Sequence, residues 1–575
     1  MDRLYPRPNL VRSNWQNLNG TWDFDFDDQN IGITQKWYIK HQYSKKIRVP
    51  FGYQTQLSGI HDVSMHDRVW YRRKFKVDQS NKRLILHFEA VDYEAHVYLN
   101  HKLVKKHVGG STRFSVDITD FTVDGEQDLV VMAYDPSLDA KISRGKQTER
   151  LEPYECYYDR TTGIWQTVWL EYIDESAIES IKITPNIDEQ SAYFKLTSFD
   201  HSMKTVDLHI LWDGRVIKTH QFELGKYHDF KLEIPQPVHL WSPETPNLYD
   251  IQVTVTKNGA VIDEFSSYFG MRKISIKGDK ILLNNEPYYL RLILDQGYYE
   301  EGLISYPTEE ALKEDIILAK QMGFNGARKH QKIEAQRWMY YADTLGFLVS
   351  LEMPSQYAYE ADNRFIKEWI DAVARDYNHP SLFMYVPFNE SWGVQQIKDS
   401  VDQQNYVIGF YHLTKSLDPT RIVVSNDGWE QPVTEVCTIH SYRHGQMDDQ
   451  KMHEAYYKSL TDKDTLLSAT HTNGDKPIYV GGATHHHEPI LFSEFGGVSF
   501  ANEKQVGWGY TGVTNAKDYE KELKRIFKAV HDSKHLAGFC FTQLTDVEQE
   551  INGLLGYDRK PKLPLDTIKK IVTNK

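Results

Sequence analysis

The sequence predicts two β-sandwiches followed by a (β/α)8 barrel, and two patterns carry that prediction. Over roughly the first 270 residues, short runs alternate apolar and polar side chains with the period of two that is typical of half-buried strands. After about Ile274, apolar residues recur at helical spacing and alternate with short apolar runs. A chain of 575 residues exceeds what one hydrophobic core usually supports. We therefore expect three domains, over residues 1–175, 176–273 and 274–575.

The first domain is predicted from strands that follow one another without helical stretches. The segment "KRLILHFEAVDYEAHVYLNHKLV" alternates apolar and polar residues and turns at Asn100-His101, and "QDLVVMAYD" repeats the same period. Such a run of strands predicts a β-sandwich.

The second domain, residues 176–273, contains several more alternating runs. Lys257-Asn258-Gly259 lies between two of them, and Asn-Gly at such a point predicts a tight hairpin. About 95 residues with this many strands fit an immunoglobulin-like sandwich.

The third domain is predicted from a repeated helix–strand order. In "PTEEALKEDIILAKQMGFNGARKH", Thr308 is the expected helix cap, Leu312, Ile316 and Ala319 have helical spacing, and Gly323 is the expected stop. "QRWMYYADTLGFLVSLEMP" and later segments repeat this order, as a (β/α)8 barrel requires. A doubly wound sheet is the alternative, but no Gly-rich phosphate loop opens any of these units.

Composition excludes several classes of function. A net charge of -13 argues against a general nucleic-acid binder, which needs a basic face. Three scattered cysteines are too few for a disulfide framework or a zinc knuckle. Since we find no secretory signal and no apolar run of membrane-spanning length, we expect a cytoplasmic protein without nucleic-acid or membrane partners. The adjacent histidines of "THHHEPI" are expected in a solvated loop, because a strand cannot aim all three at one metal.

Polar residues follow the predicted barrel strands, where the chemistry of such barrels collects. They are Asp295, Arg328 with His330, Glu352, Asn389 with Glu390, Asn426 with Asp427, His440 with Tyr442, Glu494, and Gln543. Helix-capping acids and turn residues also occupy such ends. Glu390 in "VPFNESWG" and Glu494 in "PILFSEFGG" differ because each ends a strongly apolar strand, where an unpaired carboxylate is costly. Two carboxyls facing each other across a barrel mouth suit hydrolysis of a glycosidic bond.

These residues also carry a family resemblance. Asn389-Glu390 after "FMYVPF", His440-Ser441-Tyr442, and Glu494 in its segment resemble glycoside hydrolase family 2, which contains β-galactosidases, β-glucuronidases and β-mannosidases. "YPRPNLVRSNWQNLNGTWDFDFDD" and "RTTGIWQTVWLE" resemble the two ends of that family's sugar-binding domain, and "YDRKPK" resembles a segment near the barrel's end. The resemblance implies a jelly-roll sugar-binding domain, an immunoglobulin-like domain and a catalytic barrel.

The resemblance implies a role for each of five residues in a retaining double displacement. Glu390 would be the general acid/base, with a raised pKa, and Glu494 the ionised nucleophile. Asn389 would hydrogen-bond the sugar 2-hydroxyl. Tyr442 would hydrogen-bond the nucleophile, and Arg328 would help to keep it anionic.

Four more positions are candidate substrate ligands. His330 is expected to contact the sugar, although "RKHQK" places it one residue closer to the arginine than the family's usual spacing. Trp392 and Trp508 are expected either to stack on sugar rings or to pack in the core. Asp295 in "LDQGYY" is an acid unfamiliar in the family that we expect to bind a glycone hydroxyl.

Departures from the family pattern bear on the substrate. Asn552-Gly553-Leu554 stands where β-glucuronidases have Asn-x-Lys, so Asn552 remains a candidate ligand but the cation that grips a uronate is missing. Tyr157 stands where large β-galactosidases have an Asp, and Gln543 where a Trp platform is common. "SLEMPSQYAY" has no His for the magnesium site of those enzymes, so we predict no metal and no cofactor.

The leading hypothesis is a retaining exo-β-glycosidase, with β-galactosidase-type activity expected first. A furanosidase for galactofuranose or arabinofuranose competes with it because of Tyr157 and Asp295, and a β-glucuronidase-like enzyme is a further alternative. From another class comes a non-catalytic carbohydrate-binding protein, which has no use for a matched acid and nucleophile. A cofactor-dependent lyase lacks phosphate-binding glycines and metal-ligand spacing. The expected partners are an oligosaccharide or glycoside substrate and further copies of the chain.

Overall fold

The computed structural model describes residues 5–78, 82–361, 363–500 and 507–575. The first sandwich is built from two main sheets, with strand orders β1-β12-β5-β9 and β3-β2-β4-β10-β7-β8, and a two-stranded sheet β11-β6. The strands are β1 (Trp15–Asn17), β2 (Gly20–Phe26), β3 (Lys45–Val49), β4 (Arg68–Lys76), β5 (Arg83–Phe88), β6 (Val91–Asp92), β7 (Glu94–Leu99), β8 (Lys102–Val108), β9 (Phe114–Asp117), β10 (Glu126–Tyr134), β11 (Gly163–Ile164) and β12 (Val168–Ile173).

The second sandwich pairs a three-stranded sheet, β13-β14-β17, with a four-stranded sheet, β16-β15-β18-β19. Alternate side chains of its strands are buried between the two sheets, as the period of two predicts. The strands are β13 (Ile178–Asn186), β14 (Ser191–Ser198), β15 (Lys204–Trp212), β16 (Arg215–Leu224), β17 (Tyr227–Glu233), β18 (Tyr249–Lys257) and β19 (Ala260–Phe269).

Both predicted hairpin turns are confirmed. Asn258 and Gly259 have φ of 52° and 79°, and Asn100 and His101 have φ of 47° and 73°. Two successive residues with positive φ let the turn follow the twist of the flanking strands, which explains why Asn and Gly occur there.

A small antiparallel sheet of β20 (Ile274–Lys277), β21 (Lys280–Leu283) and β22 (Glu286–Pro287) precedes the barrel. The barrel consists of eight parallel strands in the order β27-β26-β25-β24-β23-β32-β29-β28. Its elements are β23 (Leu290–Asp295), α1 (Glu309–Gln321), β24 (Gly326–Lys329), α2 (Gln336–Leu345), β25 (Leu348–Glu352), α3 (Asn363–Asp376), β26 (Leu382–Val386), α4 (Val401–Leu417), β27 (Ile422–Val423), β28 (Cys437–His440), α5 (Gln450–Thr461), α6 (Lys463–Leu466), β29 (Ile490–Gly496), β30 (Val498–Phe500), β31 (Thr511–Val513), α7 (Ala516–Asp532), β32 (Leu536–Thr542) and α8 (Leu565–Thr573).

The pairing of β23 with β32 distinguishes this barrel from a doubly wound sheet. It places the first and the last strands of the domain side by side, which a closed (β/α)8 arrangement requires. The predicted fold class, with its two sandwiches and its barrel, is therefore confirmed.

Helix α1 shows how the local sequence determines the barrel's outer layer. The Thr308 hydroxyl accepts the backbone N–H of Ala311 at 3.2 Å, as expected of an N-cap. Leu312, Ile316 and Ala319 are buried against the barrel, and the helix ends just before Gly323. The stripe of apolar residues predicted from the sequence is thus the face that packs on the strands.

Contacts between the domains place part of the first sandwich at the barrel mouth. The β10–β11 loop (residues 135–162) lies against barrel residues: the Arg144 backbone N–H donates to the Ser355 carbonyl at 3.2 Å, and the Tyr357 hydroxyl to the Gly145 carbonyl at 2.6 Å.

None of the helices in the described ranges is both long enough and apolar enough to cross a membrane.

Candidate active site

Two glutamates lie at the carboxyl ends of barrel strands and approach each other. Glu390 follows β26, and Glu494 lies in β29. One oxygen of each carboxylate and one ring nitrogen of His440 all lie within 4.8 Å of one another. Carboxyl groups about 5 to 5.5 Å apart are typical of retaining glycosidases, whereas inverting enzymes need about 6.5 to 9.5 Å for an intervening water. The separation falls on the retaining side.

Arg328, at the end of β24, connects the acidic groups beneath this pair. Its Nη1 lies 2.7 Å from Glu494 Oε1 and 2.8 Å from Asp427 Oδ2, and its Nε lies 2.6 Å from Glu352 Oε2. Its Nη2 donates to the Asn389 side-chain oxygen at 2.7 Å. The guanidinium is 1% exposed, and its fixed fork of donors suits several acceptors at once. Arg328 therefore positions both Glu494 and the amide next to Glu390.

Tyr442 holds the other oxygen of Glu494. Its hydroxyl donates to Glu494 Oε2 at 2.7 Å and lies 2.8 Å from the Thr542 hydroxyl. The ring stacks on Tyr510 with centroids 3.6 Å apart. With Arg328 on one oxygen and Tyr442 on the other, the orientation of the carboxylate is set before any substrate binds.

His440 is hydrogen-bonded to Glu390 and lies between acids and Arg328, whose Nη1 is 3.2 Å from His440 Nε2. Its Nδ1 lies 2.9 Å from Glu390 Oε1, and its Nε2 lies 3.5 Å from Asp427 Oδ1. Burial alone lowers the pKa of His440, but Glu494 and Asp427 raise it to about 10. The ring is therefore protonated at neutral pH and donates to Glu390.

This hydrogen bond changes the expectation for Glu390. Burial raises the pKa of Glu390, but the bond from His440 and its positive charge outweigh burial, so that the pKa lies below the usual value for a glutamate. The raised pKa expected of a general acid is thus not found. The physical reason is the neighbouring His440 ring, whose hydrogen bond and positive charge favour the ionised carboxylate.

The structure brings His330 close to Glu494 in spite of its unusual spacing in the sequence. Its Nδ1 lies 3.1 Å from Glu352 Oε1 and 4.0 Å from Glu494 Oε1. Burial and the neighbouring Arg328 lower the pKa of His330 well below its usual value, so the ring is neutral. A neutral imidazole there can donate a hydrogen bond to a sugar hydroxyl or accept one from it.

Asp295 has internal partners. Its carboxylate pairs with the Lys329 ammonium at 2.8 Å and accepts the Gly297 backbone N–H at 2.8 Å. Lys329 also lies 2.9 Å from Glu334 Oε2. Asp295 thus belongs to a buried ion-pair cluster, and its binding of a glycone hydroxyl stays a prediction.

The two candidate tryptophans differ in their surroundings. Both are half-buried. Trp392 lies with its ring centroid 5.2 Å from that of Tyr357. The Trp508 indole N–H donates to the Glu155 carbonyl at 2.6 Å, and its ring meets the edge of Tyr510 at 5.5 Å.

Asn552, the remaining amide of the Asn-x-Lys position, and Gln543, which departs from the family pattern, are hydrogen-bonded to each other. The Gln543 amide donates to the Asn552 oxygen at 2.7 Å, and the Asn552 amide donates to Glu550 Oε1 at 3.0 Å. All three side chains are buried. Gln543, where the family resemblance implies a Trp, is thus part of a buried polar network.

Lys146, in the β10–β11 loop, was missed by the sequence reasoning. It lines a cavity together with His330, and its Nζ lies 5.9 Å from the centroid of the Tyr157 ring. Burial lowers the pKa of Lys146, but the neighbouring Cys156 and Glu550 raise it, so the side chain stays charged. The only signal in the sequence is a basic residue after Gly145, in a loop far from the barrel along the chain.

Glu390, His440 and Glu494 also have the spacing of metal ligands. A metal ion there would have to displace the proton that His440 donates to Glu390, which the raised pKa of the ring opposes. The adjacent histidines His485, His486 and His487 lie in a largely exposed loop instead. The prediction of no metal stays a prediction.

Comparisons with known proteins cover the whole described architecture. The chain matches the family models described as "Glycosyl hydrolases family 2, sugar binding domain" over residues 15–171, "Glycosyl hydrolases family 2" over 176–272 and "Glycosyl hydrolases family 2, TIM barrel domain" over 274–574.

Individual relatives are distant. The chain is 26% identical over 426 residues to a "Beta-galactosidase" of Thermoanaerobacter pseudethanolicus, covering 71% of this chain and 53% of that protein. It is 25% identical over 557 residues to a "Beta-glucuronidase" of Sus scrofa, covering 85% and 81%. The chain thus spans about half the length of the Thermoanaerobacter protein.

A solved structure of a β-glucuronidase from Ruminococcus gnavus superposes with a TM-score of 0.80 at 20% identity, covering 99% of each chain, and shows a shared fold. Since the barrel match alone spans more than half of the sequence, the chain belongs to glycosyl hydrolases family 2.

Proposed function

We propose that the protein is a retaining exo-β-glycosidase, with Glu494 as nucleophile and Glu390 as acid/base. The observation that carries this proposal is the approach of the two carboxylates to within 4.8 Å, with His440 beside both. A sugar held there would place its anomeric carbon in reach of Glu494, and its leaving oxygen in reach of Glu390.

In the first step, a Glu494 oxygen bonds to the anomeric carbon while the bond to the leaving oxygen breaks. The leaving oxygen takes a proton from Glu390, which is replenished from Nδ1 of His440 across their 2.9 Å contact. In the second step, water bonds to the anomeric carbon while the bond from that carbon to Glu494 breaks, and a proton of the water returns to the pair. Each proton that leaves in the first step is therefore recovered in the second.

Three neighbours support the charge changes of this cycle. Arg328 and Tyr442 hold the two Glu494 oxygens, so that the nucleophile needs no reorientation. Asn389 accepts from Arg328 with its oxygen, and no protein partner is found for its buried amide nitrogen among the described residues. That nitrogen is free to donate to the sugar 2-hydroxyl, a bond that strengthens in the transition state.

We propose a β-galactoside as the first substrate class, which the match to proteins named β-galactosidase supports. A furanoside is favoured by Tyr157, which lies in the loop at the barrel mouth. Tyr157 stands where large β-galactosidases have an acid that would bind a galactopyranose. A uronide is favoured by Lys146, because this cation in the same loop would bind a uronate carboxylate in place of the missing lysine of Asn-x-Lys.

A panel of nitrophenyl glycosides, both pyranosides and furanosides, tests the proposal and ranks these substrates. We expect one glycone to be released with kcat/KM at least about tenfold above the others. The non-catalytic alternative predicts binding without product from any of them, and identical sugar binding by Glu494→Gln.

A further inference from the structure

We propose that four aromatic side chains from two domains form the subsite for the leaving group: Tyr154, Tyr357 and Trp392 bind a ring with an apolar face, and the buried Tyr157 packs between Tyr154 and Tyr357. We call these four residues the aromatic row. This inference rests on the proposed glycosidase function and specifies which part of the substrate the two domains share.

The aromatic row is continuous across the domain boundary. The ring centroids of Tyr154 and Tyr157 are 5.0 Å apart, those of Tyr157 and Tyr357 are 5.6 Å apart, and those of Tyr357 and Trp392 are 5.2 Å apart. The first two rings belong to the β10–β11 loop of the sandwich, and the other two follow β25 and β26 of the barrel. Each centroid distance lies in the range of ordinary aromatic contacts.

One end of the aromatic row lies at the proposed acid. Trp392 is two residues after Glu390, and its backbone N–H donates to the Asn389 carbonyl at 2.9 Å. A leaving group is bonded to the oxygen that the acid protonates, so it must extend from the acid's side of the site. The aromatic row begins two residues after that acid in the chain.

Neighbouring side chains and a carbonyl hold the rings, and the Arg150 guanidinium lies over the Tyr154 ring at 3.6 Å from its centroid. The Arg144 guanidinium lies 4.4 Å from the Tyr357 centroid and pairs with Glu149 at 2.9 Å. The Tyr154 hydroxyl donates to the same Glu149 at 2.9 Å, while the Tyr357 hydroxyl donates to the Gly145 carbonyl. Rings fixed in this way lose little conformational freedom when a ligand stacks on them.

The chemistry of the aromatic row suits a ring more than a chain. Tyr154, Tyr357 and Trp392 are half-buried, so part of each surface remains open. Flat π-surfaces bind the apolar face of a sugar ring or of an aryl group, whereas an alkyl leaving group offers less contact area. Two sources of ligand therefore fit, a second sugar and an aryl aglycone.

The experiment compares three glycosides that share one glycone and differ in their leaving group: a methyl glycoside, a phenyl glycoside and a disaccharide. Loss of one stacking ring is expected to lower kcat/KM about tenfold for ring leaving groups in Tyr154→Ala and Trp392→Ala. The methyl glycoside should change less than about twofold, since it does not reach the aromatic row. Trp392→Phe, which keeps a ring, should recover most of the loss.

Controls separate a subsite from a folding defect. Tyr193→Ala, at an exposed position of β14 in the second sandwich, should leave all three substrates unaffected. The rate of breakdown of the glycosyl-enzyme should be unchanged in Tyr154→Ala, because the leaving group has already departed. Equal losses for methyl and ring substrates would overturn the proposal. A loss confined to the phenyl glycoside or to the disaccharide would assign the aromatic row to that one source.

Failure of the proposed function would be recognised separately. If the wild-type protein releases no product from any glycoside, the Kd of a phenyl thioglycoside, which is not hydrolysed, still tests the aromatic row by calorimetry. A tenfold weaker Kd in Tyr154→Ala would retain the binding site, and an unchanged Kd would eliminate it.

Discussion

Nδ1 of His440 lies 2.9 Å from Oε1 of Glu390, so the imidazole is hydrogen-bonded to the carboxylate that is proposed to act as the acid. The carboxylates Glu494 and Asp427 overcome the effect of burial and raise the pKa of His440 to about 10, while His440 lowers the pKa of Glu390. The transferable proton therefore resides on the pair, and on the ring at neutral pH. This arrangement makes the pH dependence of catalysis a property of two residues.

Replacing His440 by Gln should move the alkaline limb of the kcat/KM profile to lower pH. With the histidine, the pair keeps its proton until the pH approaches the His440 pKa of about 10. Without it, only the Glu390 carboxyl can store the proton, and a carboxyl loses it at a much lower pH. The measurement is kcat/KM as a function of pH, from about pH 4 to about pH 11 in steps of about half a pH unit. An alkaline limb that stays in place would show that His440 stores no proton for catalysis.

Glu390→Ala should slow substrates according to their leaving group. A dinitrophenolate departs without protonation, but an alkoxide does not, so the acid matters most for alkyl glycosides. We expect kcat/KM for alkyl glycosides to fall at least about 100-fold further than for dinitrophenyl glycosides. Equal losses for the two leaving groups would contradict the role of Glu390 as acid.

Glu494→Ala should abolish turnover, with a loss of at least about 10,000-fold in kcat. The space left by the side chain should admit azide, which attacks the anomeric carbon from the nucleophile's side and gives a sugar azide of inverted configuration. Nuclear magnetic resonance of the product identifies that configuration. Restoration of a product with retained configuration would place the nucleophile elsewhere.

The fold was predictable because its signals are local. Alternation gives the strands of both sandwiches, and one capping threonine with apolar residues at helical spacing gives a barrel helix such as α1. The two glutamates were also predictable, because an acid at the end of an apolar strand is a local pattern.

The rest of the site depends on contacts that no local pattern reports. Lys146 and the β10–β11 loop reach the barrel mouth only through domain packing, as the bond between Tyr357 and Gly145 shows. The lowered pKa of Glu390 similarly depends on His440, which lies on a different strand. Asp295 lies at the end of a barrel strand, where site residues are expected, but its carboxylate is paired with Lys329.

Lys146→Gln should weaken substrate binding, although the residue belongs to the sandwich. The positive charge of Lys146 acts on both Glu390 and His330 and lowers their pKa values, so we expect its ammonium to donate to a hydroxyl or to a carboxylate of the glycone. For a neutral glycone we expect kcat/KM to fall about tenfold, the effect of one hydrogen bond to a charged donor. A much larger loss on the matching uronide would assign Lys146 to a sugar carboxylate. Unchanged kinetics on both substrates would remove Lys146 from the site.

Arg12→Met should destabilise the whole assembly of domains without touching the active site. Arg12 bonds Glu171 of the first sandwich at 2.8 Å and Asp263 of the second at 2.8 Å, and all three side chains are buried. Removing the cation leaves two buried carboxylates without this partner. Such a loss typically lowers the free energy of unfolding by about 3 to 5 kcal/mol. Urea unfolding at pH 7, compared with the exposed control Arg215→Met, measures this loss.

The same cluster should make the protein sensitive to acid. Burial raises the pKa of Glu171, but Arg7 and Arg12 lower it well below the usual value for a glutamate. A carboxyl with a depressed pKa in the folded state contributes stability that is complete above its unfolded pKa of about 4.3. That contribution is lost as the pH falls from there through the folded pKa, since the unfolded chain then binds the proton more readily. In Arg12→Met the pKa of Glu171 is lowered less than in the wild type. The free energy of unfolding of the variant should therefore decline less steeply below about pH 4.3 than that of the wild type. Parallel slopes in the two proteins would mean that Glu171 does not govern the acid limit.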